Sequence, residues 1–154
     1  MRHTLSTTLL AVILTLVCSA QAAIASPGPK LMLFGGRDHK QYLGCIVCNE
    51  FSSDSICNGF GKYGNEFSTE GMFQEFSGFG NDFSPDSPWN ESSASTGVPV
   101  LVDENGAFYG YFTINDSRSD AVKFSHQLHL LYEQNDKDLE KVRKGICHMF
   151  GNGS

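Results

Sequence analysis

Cys48-Asn49-Glu50-Phe51-Ser52 returns sixteen residues later as Gly64-Asn65-Glu66-Phe67-Ser68, and sixteen after that as Gly80-Asn81-Asp82-Phe83-Ser84. Other columns keep the same step. Asp54, Glu70 and Asp86 align, as do Ser55, Gly71 and Ser87. Cys57, Phe73 and Trp89 form an apolar column, and Asn58, Gln74 and Asn90 an amide column. Phe60 matches Phe76, and Tyr63 matches Phe79. A repeat of this density means one structural unit used several times. Within a unit, Tyr63, Asn65 and Phe67 alternate with Gly64, Glu66 and Ser68, a period of two that reads as a strand. The expectation is a short-repeat β region over 44–92. It would be built as a β-solenoid-like coil or a meander, with the flanking segments as caps. The aromatic columns Tyr63/Phe79, Phe67/Phe83 and Phe60/Phe76 should then face inward, and Glu66 and Asp82 outward.

Charge in this region is one-sided. From Phe51 to Gly97 there are seven acids and one base, Lys62. Two columns, Glu50/Glu66/Asp82 and Asp54/Glu70/Asp86, would align carboxylates. Aligned carboxylates repel unless they are solvated or bridged by a cation, for which calcium is the natural candidate because it takes oxygen ligands. No calcium-loop spacing is present, so a solvated acidic face is the plainer reading, with no cofactor.

Outward toward the C-terminus, the small polar stretch 92–97 leads to two apolar runs around Asp103-Glu104-Asn105-Gly106. This pattern predicts a β-hairpin over 98–115. Phe108, Gly110, Phe112 and Ile114 should share one face, and Tyr109, Tyr111 and Thr113 the other. A helical C-terminus over 117–150 follows. Asp116, Ser117 and Ser119 are N-cap candidates, with Ala121, Phe124, Leu128, Leu131 and Tyr132 on one stripe. A second helix should start near Asp136 or Asp138 and carry Leu139, Val142, Ile146 and Phe150, with Gly151 as its stop. His126 and His129 have a spacing that can hold metal, but no third ligand lies nearby in sequence. The fold class read from these segments is α+β.

Toward the N-terminus, residues 1–25 read as a secretory signal peptide. Arg2 and His3 precede an apolar run from Leu9 to Val17, and Ala20-Gln21-Ala22 and Ala23-Ile24-Ala25 both fit a cleavage site. The run is short of the ~20 residues that span a bilayer. Val17 before Cys18 disfavours a lipoprotein reading. Residues 26–154 then form a single domain, with 10 bases against 17 acids, a poor surface for nucleic acid phosphates. Four cysteines remain, Cys45, Cys48, Cys57 and Cys147, and an even number in an exported chain favours two disulfides. The three pairings stay open, with Cys147 expected to be tied to the N-terminal cluster. A zinc site is disfavoured because the fourth cysteine stands alone. A redox Cys-x-x-Cys is disfavoured because turn residues, not a helix, follow Cys48.

No nucleophile elbow, P-loop, dinucleotide fingerprint or zinc-protease motif is present. Asp38-His39-Lys40 is the densest ionisable cluster, and His39 beside Asp38 is the one candidate general base. Adjacent residues on an extended segment point apart, which weakens it.

Several stretches together resemble a family of small, uncharacterised exported bacterial proteins. They are Leu31-Met32-Leu33-Phe34-Gly35-Gly36, Asp38-His39-Lys40, Tyr42-Leu43-Gly44-Cys45 with Cys48-Asn49-Glu50, the Asn/aromatic/Gly repeat, Ser87-Pro88-Trp89-Asn90, and Val100-Leu101-Val102-Asp103 with Phe108-Tyr109-Gly110-Tyr111-Phe112-Thr113. The resemblance implies a secreted or periplasmic location, and no activity carries over from it. The leading functional reading is a non-enzymatic exported binding or structural module. It would present an acidic, tyrosine-bearing β surface to a protein or cell-wall component. The alternatives are a small secreted hydrolase, such as a nuclease, using His39, and a calcium-stabilised envelope module.

Overall fold

The structure, a computed structural model, describes residues 28–151, so the signal-peptide reading of 1–25 lies outside the described residues. The fold is α+β. Four strands, β1 (Leu31–Gly35), β2 (Gln41–Cys45), β3 (Val100–Asp103) and β4 (Phe108–Tyr111), form one antiparallel sheet in the order β2-β1-β3-β4. Two helices follow, α1 (Ser125–Gln134) and α2 (Leu139–Met149). Among the described residues no helix is long and apolar enough to cross a membrane.

The β1–β2 hairpin turns through Gly36 (φ 81°) and His39 (φ 49°), where His39 N–H donates to the Gly36 carbonyl at 2.9 Å. Chain 46–99 then leaves the sheet before β3 returns beside β1. That excursion contains no strand. It is a succession of turns, with one isolated bridge between Cys45 and Ser55. The expectation of alternating strands over 44–92 is therefore corrected. Successive turns step by about eight residues and touch through backbone. A Cβ on Gly64 would strike the carbonyl oxygens of Ile56 and Asn58, and the Ser87 hydroxyl donates to Phe79 O at 2.9 Å.

The turns and the sheet share a core with the helices. Leu33, Leu43 and Leu101 come from strands, and Ile56, Met72, Phe73, Phe79 and Trp89 from the turns. Leu128, Tyr132, Leu139, Val142 and Ile146 come from helices. Trp89 sits at the junction. Its indole N–H donates to Met72 O at 2.6 Å and its ring stacks on Tyr132, with centroids 5.7 Å apart.

The β3–β4 hairpin forms as read, closed by Asp103, whose Oδ1 accepts from Asn105 N–H and Ala107 N–H at 2.8 and 2.9 Å. The expected faces do not hold. The register shifts between Leu101 and Val102, and Gly110 at φ 125° absorbs the irregularity. A bulge breaks the two-residue alternation. Phe108 is exposed, whereas Thr113 is fully buried beside Phe112 and Ile114.

The first helix begins later than the apolar stripe predicts. Tyr111 N–H donates to Asp120 O and Val122 N–H to Tyr111 O, both at 2.9 Å, so 120–122 are drawn onto the β4 edge and Ala121 is not helical. The second helix matches its signals. Asp138 is its N-cap, accepting from Lys141 N–H, and Gly151 follows its end at φ 76°.

The cysteines pair as Cys45–Cys48 and Cys57–Cys147. Beside the second bridge, buried Arg143 donates from Nη1 to Cys57 O at 2.8 Å and pairs through Nε and Nη2 with Glu140 at 2.8 and 2.7 Å. Disulfide and guanidinium together clamp α2 to the turns.

Candidate functional site

One local device recurs through the turns. Asn49, Asn58, Asn65, Gln74, Asn81 and Asn90 each begin a turn whose backbone closes from the residue three further on, at 2.9–3.2 Å. In each, the side-chain amide oxygen also accepts the N–H two residues on, from Phe51, Phe60, Phe67, Phe76, Phe83 and Ser92, at 2.8–3.1 Å. An amide at the first position is what such a side-chain-capped turn needs. The unit is therefore [Asn/Gln]-x-Phe-[Ser/Gly], spaced alternately by nine and seven residues. The expected burial of Phe60, Phe67, Phe76 and Phe83 is overturned. These and Phe51 are 80–97% exposed, because the capped turn places its third residue at the outer corner. The signal that would have found this is the amide two residues before every one of these phenylalanines.

Phe60, Phe67, Phe76 and Phe83 form a row. Phe60 and Phe67 share a groove with Glu66, Glu140, Arg143 and Lys144. Phe67 and Phe76 share the next, with Glu66, Glu75, Asp138 and Leu139. Phe76 and Phe83 share a third of about 450 Å³, with Glu75, Asp82, Tyr132 and Lys137. The second position of the turns carries Glu50, Glu66, Glu75, Asp82 and Glu91, so carboxylates run beside the rings. Their field reaches inward. Burial first, then Asp82, Glu133, Glu91 and Glu75, push the Tyr132 hydroxyl up to about 12.

Among the six carboxylates read as calcium candidates, Glu66 and Asp82 lie on this row, and Glu50 lines a separate cavity beside Cys57, Arg143 and Cys147. The other column is separately engaged. Asp54 takes Lys30 Nζ at 2.9 Å and the Ser52 hydroxyl at 2.5 Å, and these bonds lower its pKa to about 2. Glu70 pairs with Lys62 at 2.6 Å, and Asp86 accepts from the Ser95 hydroxyl at 2.5 Å. Among the described residues, the three carboxylate or histidine groups that converge are Glu91, His129 and Glu133 instead. Glu133 lies four residues after His129 on α1, within reach of sequence spacing, so the expectation of no third ligand nearby in sequence is corrected; the fold contact adds Glu91.

Asp38 and His39 do not form a pair. Asp38 is exposed and lies 3.3 Å from Lys40 Nζ. His39 faces Tyr111 edge-on at 5.8 Å, and its enclosed Nε2 has no hydrogen-bond partner among the described residues. The tyrosine face also disperses. Arg118 covers the Tyr111 ring at 3.4 Å, the Tyr109 hydroxyl donates to Asp103 at 3.4 Å, and Thr113 is internal. No family model matches this chain, and no curated protein or solved structure is significantly similar to it.

Proposed function

We propose that this chain is an exported, non-enzymatic binding module, of the small bacterial envelope or secreted kind that its motifs resemble, and that the phenylalanine row is its binding surface. The observation that carries the reading is the exposure of five phenylalanines at one turn position, next to turns that bury Ile56, Met72, Phe73 and Trp89 completely or nearly so. Large contiguous apolar exposure on a folded domain marks an interaction site. The flanking carboxylates and the acid excess select the partner by charge complementarity: an extended basic polypeptide segment carrying apolar side chains. Its cationic groups would meet Glu66, Glu75 and Asp82 while its apolar groups cover the rings. The hydrolase alternative would need His39, whose enclosed Nε2 has no hydrogen-bond partner among the described residues, while Asp38 accepts from Lys40 N–H instead.

The test is fluorescence anisotropy with a labelled lysine/leucine peptide, against a glutamate/leucine peptide and isolated cell-wall fragments. The wild-type chain should bind the basic peptide, more weakly as salt rises. A variant carrying Phe60→Ser, Phe67→Ser, Phe76→Ser and Phe83→Ser should lose that binding while still unfolding cooperatively from a folded state. Equal binding by both proteins sinks the proposal, and preference for the cell-wall fragments replaces the polypeptide partner with a glycan.

A further inference from the structure

The sixth capped turn differs from the other five. Its third position is Ser92 rather than phenylalanine, and its acid, Glu91, lies against α1. There Glu91, His129 and Glu133 each bring one ligand atom to within 4.8 Å of the others. His129 and Glu133 are four residues apart on α1 and so share a face. Beside the imidazole, Asp116 Oδ2 lies 3.6 Å from His129 Nδ1 and 2.8 Å from His126 Nδ1. A carboxylate next to a histidine ring is the kind of neighbour that orients a metal-binding imidazole. The position between the two glutamates is already attractive to a cation. Lys137 Nζ stands 3.5 Å from Glu91 Oε1 and 3.4 Å from Glu133 Oε1.

We propose that Glu91, His129 and Glu133 form a binding site for a zinc-class divalent cation, with Asp116 as a positioning residue for His129. One imidazole and two carboxylates balance the charge of such an ion and leave a fourth position for water. Calcium and magnesium prefer all-oxygen sets and are disfavoured by the imidazole. Lys137, whose side chain is 48% exposed, is the built-in competitor and must swing outward when the ion enters. The site does not depend on the phenylalanine-row reading.

The experiment is isothermal titration calorimetry of zinc chloride into the disulfide-bonded, tag-free chain after chelator treatment, with calcium chloride in parallel. One zinc per chain is expected, and no calcium binding at the same concentrations. His129→Ala and Glu133→Gln should each weaken zinc at least tenfold, and Asp116→Asn roughly tenfold. Lys137→Met should tighten it several-fold by removing the competing ammonium. The side chains of His129 and Glu133 are 30% and 46% exposed, so both variants should melt like wild type. Absence of zinc uptake by both wild type and Lys137→Met overturns the proposal. So does wild-type affinity in His129→Ala, or calcium binding as tightly as zinc. The cluster is then only a lysine bridging two carboxylates.

Discussion

Phe67 and Phe73 are six residues apart and should behave as opposites. Complete burial of a phenylalanine removes roughly 150–250 Å² from water, worth ~4–6 kcal/mol at about 25 cal/mol per Å². Phe73 is 1% exposed and packs against Trp89 with ring centroids 5.9 Å apart. Phe73→Ala should therefore cost ~3–5 kcal/mol, the usual range for emptying a buried aromatic site. Phe67 is 81% exposed, so only about a fifth of its surface is covered. That remainder is worth at most about 1 kcal/mol at the same coefficient. Urea denaturation reads both, because the single tryptophan, Trp89, is 1% exposed and reports loss of the core. Far-ultraviolet circular dichroism provides a second probe where Phe73→Ala alters the tryptophan signal directly. With a denaturant slope of about 2 kcal/mol per M, the midpoint should fall by ~2 M for Phe73→Ala and by less than ~0.5 M for Phe67→Ala. Equal shifts would refute the reasoning, since they require Phe67 to be inside.

Asn65→Ala removes the acceptor of the Phe67 N–H bond at 2.8 Å and should cost about 1 kcal/mol; Asn65→Asp keeps an acceptor and should cost less, by the same urea assay. Replacing Cys57 and Cys147 together by serine opens a sequence separation of 90 and should cost about 4.6 kcal/mol in the chain-entropy account, against about 1.9 kcal/mol for the Cys45–Cys48 pair. Paired melting curves of the two double variants check that order. The Asp54 carboxyl is held at about 2, below its ordinary 3.8, by Ser52 and Lys30. A depressed folded-state value stabilises above the unfolded value and is lost as pH falls from about 4 toward 2. Solvent screening at this partly exposed site reduces the effect to about 1–2 kcal/mol. Asp54→Asn should flatten the stability profile in that window, and an unchanged acid limb would count against the pairing.

Legibility followed the range of the interactions. The β3–β4 hairpin could be read because Asp103 and Gly106 settle their turn within five residues. The second helix could be read because Asp138 and Gly151 mark its ends. The repeat was plain as a pattern, but its period of two over Tyr63–Ser68 imitated a strand. The amide acceptors of Asn65 and its equivalents competed with ladder pairing and made turns instead. α1 began at Ser125 because the β4 edge took 120–122, a contact invisible to helical periodicity.

From the chain alone came the α+β class, the hairpin, the second helix, the repeat and its acidity, all set by near neighbours and composition. The tertiary structure decided which repeat aromatics are inside, which cysteines pair, and that Glu91 meets His129 and Glu133. Those outcomes depend on residues up to 90 positions apart competing for one core. A capped turn has two sides, and only the packed sheet and helices determine which of them loses its water.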